Sequence, residues 1–255
     1  LCFDFNTRDL SVTGYLTTIA KQEESCQPEK KWDNGNRNIF LESKMGDILN
    51  VTLDPGHGGK QRGGGTRHPI DEANFCLEIS KLIKEAYAND PNTIISLTRE
   101  GDITLTQAQR FQASAKANSH LVISIHINAE KIPEDGIPTM KGCLSFCWPS
   151  NKNGFAVANS INKNLPAPLR RTKGAIIETV SHQKSKEIYG VESDWLSAAR
   201  TICGGHKGTT VLVEIGFITW SDDYLALCLE ENKTKIVKAF ISGIEAFRAI
   251  RKENG

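Results

Sequence analysis

From Ile48 onward the apolar positions switch between two periods. Ile48, Leu49, Val51 and Leu53 form a short β-rich run that ends at Asp54, and Pro55 with Gly56, Gly58 and Gly59 forbids its continuation into a helix. Phe75, Ile79, Leu82, Ile83 and Ala86 then fall on one face at a 3.6-residue period, which predicts a helix over Asp71 to Tyr87. The pattern continues with a strand at Thr93 to Leu97, a helix at Thr106 to Asn118 and a strand at Leu121 to Ile127. Further on, it predicts a strand at Cys143 to Trp148, a helix near Gly154 to Asn164 and a strand at Thr210 to Ile215. Ile236, Ala239, Phe240, Gly243, Ile244 and Phe247 mark a long amphipathic helix over Lys233 to Arg251. Strands alternating with helices imply right-handed βαβ units, hence an α/β fold: a central, mostly parallel twisted sheet flanked by helices on both faces, of phosphorylase/hydrolase-like type.

Two stretches break this rhythm. Residues 1–45 mix short apolar segments with a polar run from Lys21 to Arg37 and read as a small N-terminal appendage and linker, leaving residues 46–255 for the main domain. Leu165 to Asp194 is irregular and partly basic, with Arg170, Arg171 and Lys173. The 255 residues suffice for one large α/β domain with such an appendage. Lys plus Arg total 31 against 30 Asp plus Glu, so no overall basic field is available to recruit nucleic acid or an anionic membrane. No apolar run approaches the roughly 20 residues of a membrane span. The start at Leu1 is read as following a leader already removed. Seven scattered cysteines match neither a disulfide scaffold nor a paired zinc knuckle; Cys143 and Cys147 read as buried apolar residues, and the Cys203–His206 pair is broken by Gly204 and Gly205.

The chemistry gathers at strand ends. His57 follows the first strand, and His126 ends the run Leu121-Val122-Ile123-Ser124-Ile125. In open α/β sheets the carboxyl ends of strands are where ligands bind. Two imidazoles converging there need one more ligand for a catalytic zinc, which takes three protein donors and keeps a position open for water. Glu72, in the first turn of the helix after the His57 loop, is the best candidate; Asp71, Glu78 and His68 are its rivals. Glu214 sits near the end of the apolar strand Val211-Leu212-Val213-Glu214-Ile215. A lone buried carboxylate is costly, and a water activated by a nearby metal would justify it as a general base. Each residue also has a structural reading: a strand-end His can be capped by backbone, an acid suits a helix N-terminus, and Glu214 can pair with an Arg. Gly63-Gly64-Gly65 lacks the Gly-Lys-Ser/Thr that would make it a phosphate cradle.

Together, Asp54-Pro55-Gly56-His57-Gly58-Gly59, Glu72 with Leu77 and Ile79, Thr98-Arg99, Arg110, Ser124-Ile125-His126-Ile127-Asn128-Ala129 and Val213-Glu214-Ile215-Gly216-Phe217 resemble the zinc-dependent N-acetylmuramoyl-L-alanine amidases of the Amidase_3 type. The resemblance runs from about Ile48 to about Arg251. It implies one Zn2+ held by His57, Glu72 and His126, with Glu214 as the catalytic carboxylate. The implied substrate is peptidoglycan, cut between N-acetylmuramic acid and the L-alanine of the stem peptide. An extracytoplasmic monomer is expected, acting in wall remodelling or, if phage-encoded, lysis. Two alternatives stay open: an inactive peptidoglycan-binding or regulatory protein of the same fold, and a zinc peptidase cutting within the stem peptide. Some members of the family cover the zinc with an inserted segment until a partner moves it. Leu165 to Asp194 is therefore a candidate rim or lid, a lid being relieved by an activator protein, with Glu178, Glu187 or Glu192 as blocking ligands. Ile218-Thr219-Trp220 departs from the family, which usually has a small residue and Asn there.

Overall fold

The computed structural model describes residues 48–64, 70–131, 136–147, 151–173, 176–178 and 208–254. The expected appendage over residues 1–45 lies outside them. Six strands make one sheet: β1 (Leu49–Pro55), β2 (Thr93–Leu97), β3 (Leu121–Asn128), β4 (Leu144–Cys147), β5 (Ile176–Glu178) and β6 (Thr209–Phe217), in the order β2-β1-β3-β6-β4-β5. β2, β1, β3 and β6 are mutually parallel, while β4 runs antiparallel to β6 and parallel to β5. The helices are α1 (Glu72–Ala86), α2 (Gln107–Lys116), α3 (Lys152–Asn164), α4 (Ser221–Cys228) and α5 (Glu230–Asn254).

Alternation within the strands divides the sheet into two unlike faces. Leu49, Val51, Leu53, Ile123, Ile125, Val211 and Val213 are buried in one cluster with Phe75, Ile79 and Ile83 of α1, Ile161 of α3, and Ile236, Phe240 and Ile244 of α5. Burying each such side chain contributes about 1.5–3 kcal/mol, which makes this face the main source of stability. The opposite face carries Thr52, Asp54, Ser124 and Glu214 in strand-alternate positions, and α2 comes over it with Arg110 against Asp54. Helices α1 and α2 thus cross on opposite faces, because the chain steps from β1 to β2 and then back past β1 to β3. That reversal is a topological switch point, the crevice at the strands' carboxyl ends where α/β sheets receive ligands.

Local signals set the helix starts. Asp71 caps α1 by accepting the Asn74 N–H, and Thr106 and Gln109 form a reciprocal capping box on α2. The predicted elements all form, with shifts at their ends. The last helix starts at Glu230 rather than Lys233 and runs to Asn254, its polar first turn being invisible to an apolar pattern. Besides the short 3-10 turn at Ala167–Leu169, two elements go beyond what the sequence pattern predicts. The eight residues of α4 lack a strong apolar stripe, and β5 is a three-residue edge strand inside the stretch read as irregular.

Candidate metal centre

β1 delivers His57 through backbone that only a tight loop allows. The ladder extends one step past the strand, with Gly56 N–H donating to the Ile125 carbonyl at 2.8 Å. His57 then takes a left-handed conformation, φ 55°, uncommon for a residue with a side chain. Two buried arginines hold that turn. Arg110 donates to the carbonyls of Pro55 (2.8 Å) and His57 (2.6 Å), and Arg99 donates to those of Pro55 (3.0 Å) and Gly56 (2.7 Å). Gly56 is required for a second reason: a Cβ there would lie 2.5 Å from the His126 ring.

His126, at the end of β3, and Glu72, the first residue of α1, complete the cluster. His57 Nε2 is 3.1 Å from Glu72 Oε1, His126 Nδ1 is 3.2 Å from the same oxygen, and the two ring nitrogens are 3.3 Å apart. The imidazole planes stand at 83° to each other. A tetrahedral ion with bonds of about 2.0–2.1 Å has ligand-to-ligand edges of about 3.3 Å. The three donors therefore already stand at the spacing a metal needs, and their chemistry, two imidazole nitrogens and one carboxylate oxygen, suits one. Glu72 is 1 % exposed and further oriented by the N–H groups of Ile127 (3.0 Å, to Oε1) and Gly64 (2.7 Å, to Oε2). Burial disfavours its ionised form, but hydrogen bonds and charge from His126 and His57 outweigh that and pull its pKa down to about 2. A carboxylate, the form a metal takes, is what this environment maintains.

Glu214 is the residue of β6 paired in register with His126, so the two side chains project from neighbouring strands on one face. It is buried, and its Oε2 has no hydrogen-bond partner. Burial, with the charge of Glu72 adding to it, raises its pKa well above the usual carboxylate value. No arginine pairs with it among the described residues. His57, Glu72, His126 and Glu214 line one open cavity of about 430 Å³, with Gln61, Gln107 and Asn128 at its walls.

The comparisons with known proteins bear on the same stretch of chain. The family model for N-acetylmuramoyl-L-alanine amidase, Amidase_3, matches residues 51–246. The chain belongs to this family. It is 25 % identical over 266 residues to the N-acetylmuramoyl-L-alanine amidase AmiA of Salmonella typhimurium, covering 93 % of this chain and 87 % of that protein. It is 34 % identical over 87 residues to the probable amidase AmiB of Haemophilus influenzae, a match that covers 34 % of this chain and only 20 % of AmiB. Among solved structures, an N-acetylmuramoyl-L-alanine amidase from Clostridium difficile 630 shares the fold with a TM-score of 0.62 at 18 % identity, over 80 % of this chain and 98 % of that one.

Within this Amidase_3 chain the rival ligands have other partners. Asp71 is the α1 cap and pairs with Arg62, and Glu78 pairs with Lys233. His120 accepts the Asn50 N–H through Nδ1. His68, His182, His206 and Cys203 lie outside the described residues. Cys143 and Cys147 are buried in the core, as their sequence context implies.

The candidate lid is described only over residues 165–173 and 176–178, and Glu187 and Glu192 fall outside. Its described start is built into the fold: Leu165 and Leu169 are fully buried, and Ile176–Glu178 pair with β4.

Beneath the site, Arg110 has the structural ion-pair role that its place on a helix implies, with Asp54 as its partner. Asp54 accepts hydrogen bonds from Thr98 (2.6 Å), Arg110 (2.7 Å) and Ser124 (2.7 Å), so its pKa falls although burial opposes ionisation. Arg99 is 2 % exposed and pairs with no carboxylate among the described residues; besides the loop it holds the Ala73 carbonyl (2.7 Å), next to Glu72. One signal was present: an acid closing a buried strand, in a chain with arginines just past a strand and on the following helix.

Proposed function

We propose that this chain is a zinc-dependent N-acetylmuramoyl-L-alanine amidase, with its catalytic unit in residues 46–255, that acts on peptidoglycan outside the cytoplasm. The observation that carries the reading is the meeting of His57 Nε2, Glu72 Oε1 and His126 Nδ1 within 3.1–3.3 Å, beside the unpartnered buried carboxylate of Glu214. His57, Glu72 and His126 would hold the ion, which when bound supplies Lewis acidity toward the amide carbonyl and acidifies the attacking water. Glu214 Oε2 takes the proton of that water and hands it to the nitrogen of the departing L-alanine. The burial of Glu214 beside His126 and the unpartnered Oε2 leave that oxygen available for both halves of the task. No helix among the described residues is long and apolar enough to cross a membrane.

Mass spectrometry of peptidoglycan digested by the zinc-loaded protein tests this. The expected products are intact stem peptides with a free L-alanine amine and peptide-free glycan. Cleavage inside the stem peptide would replace the amidase with a peptidase, and muropeptide binding without any cleavage would replace it with a binding protein.

A further inference from the structure

A second concave site lies on the same edge of the sheet, two strands from β3. Lys141, Arg170, Arg171 and Lys173 surround a cavity of about 520 Å³ floored by Trp220, with Asp222 the one acid on its wall. Register fixes its place. Leu144 pairs with Glu214 and β4 runs antiparallel to β6, so Lys141, three positions before Leu144, sits beyond Glu214 on the carboxyl side. Three residues span at most about 10–11 Å, so Lys141 lies within that reach of the Leu144–Glu214 pair. Gly142, at φ 73°, brings Arg171 into reach: a Cβ there would lie 3.4 Å from the Arg171 Cβ.

The two arginines are set in place by backbone rather than neutralised. Arg170 donates Nε to the Leu165 carbonyl (2.6 Å), and Arg171 donates Nε to Lys173 (3.3 Å) and Nη1 to Lys141 (3.1 Å). The Lys141 ammonium stands 4.8 Å from the centre of the Trp220 ring. None of the four forms an ion pair among the described residues, in a protein whose net charge is only +1. Trp220 Nε1 is buried with no acceptor. An arginine fork held by one edge leaves its other donors free for a planar carboxylate.

We propose that this pocket is a carboxylate subsite, binding the anionic part of the stem peptide two to three residues beyond the scissile amide. The inference rests on the amidase reading, which sets the amide beside Glu214. An extended peptide spans about 3.3–3.6 Å per residue, so about 10 Å reaches its third residue. A stem peptide carries free carboxylates at those positions unless they are amidated. The pocket would then select the free-acid form.

Calorimetry with two synthetic stem tripeptides, one with free carboxylates at its second and third residues and one amidated there, tests the pocket without turnover, since neither contains the scissile bond. Lys141 and Lys173 are exposed, so Lys141→Met with Lys173→Gln leaves the packing intact. The zinc-loaded wild type is expected to bind the free acid about tenfold more tightly than the amide, and the double variant, which keeps Arg170 and Arg171, to show a preference reduced to about two- to threefold. Equal affinities in the wild type, or an undiminished preference in the variant, would overturn the proposal. A preference in the tripeptides without cleavage of peptidoglycan would instead refute the amidase reading, because the two measurements share no step.

Discussion

Asp54→Asn is the sharpest test of how the site is supported. Asp54 and Arg110 have side chains 2 % and 5 % exposed and meet at 2.7 Å. An amide at residue 54 retains part of the hydrogen bonding but leaves the Arg110 guanidinium buried without a counter-charge. Removing one partner of such a pair costs about 3–5 kcal/mol, a large share of the roughly 5–15 kcal/mol that keeps a domain folded. Arg110→Met should cost a similar amount, since it strands Asp54 and also frees the Pro55 and His57 carbonyls. The double variant should cost clearly less than the two singles together, because neither charge is then left alone. Urea unfolding of the zinc-free proteins at pH 7 reads all three. The folded-state pKa of Asp54 lies below its unfolded value of about 3.9, so the pair's stabilisation is complete above that value and fades as pH falls through the folded one. The difference between wild type and Asp54→Asn should therefore narrow below about pH 4. An Asp54→Asn cost under about 1 kcal/mol, or additive single effects, would refute the argument.

Two further outcomes follow from the cluster itself. At Gly63, φ 89°, a Cβ would fall 2.1 Å from Glu72 Oε2 and 2.7 Å from His57 Cδ2, so Gly63→Ala should weaken zinc binding about 10- to 100-fold in competition with a chelator; unchanged affinity would sink that reading. Glu214→Gln should lower hydrolysis by about 10²–10⁴ while zinc affinity holds. In the metal-free protein the same change should raise stability at neutral pH: the folded pKa of Glu214 is raised, so its cost to folding sets in as pH climbs above the unfolded value, and an amide never incurs it. Full activity in that variant would remove Glu214 from the reaction.

Much of the candidate site's geometry was legible because strand ends announce themselves. His57, His126 and Glu214 each close or nearly close an apolar run, and parallel pairing brings those ends to one edge. Glu72 was legible as an acid in a first helical turn, although only the folded chain tells it from Asp71 one residue earlier, which turns to Arg62 instead. Arg99 was not legible. Its partners are carbonyls, which every residue has, so no sequence pattern marks a buried arginine that needs no acid. The same holds for β5 and α4, formed by neighbours distant in sequence rather than by a periodic stripe of their own.

Arg99 has one more consequence. Its guanidinium joins the turn that carries His57 to the first turn of the helix that carries Glu72. Two donors that are separate in sequence thus move as one body, and an arriving ion need not draw them together. The ordering cost is met when the chain folds, so an ion bound by these donors would require little conformational change.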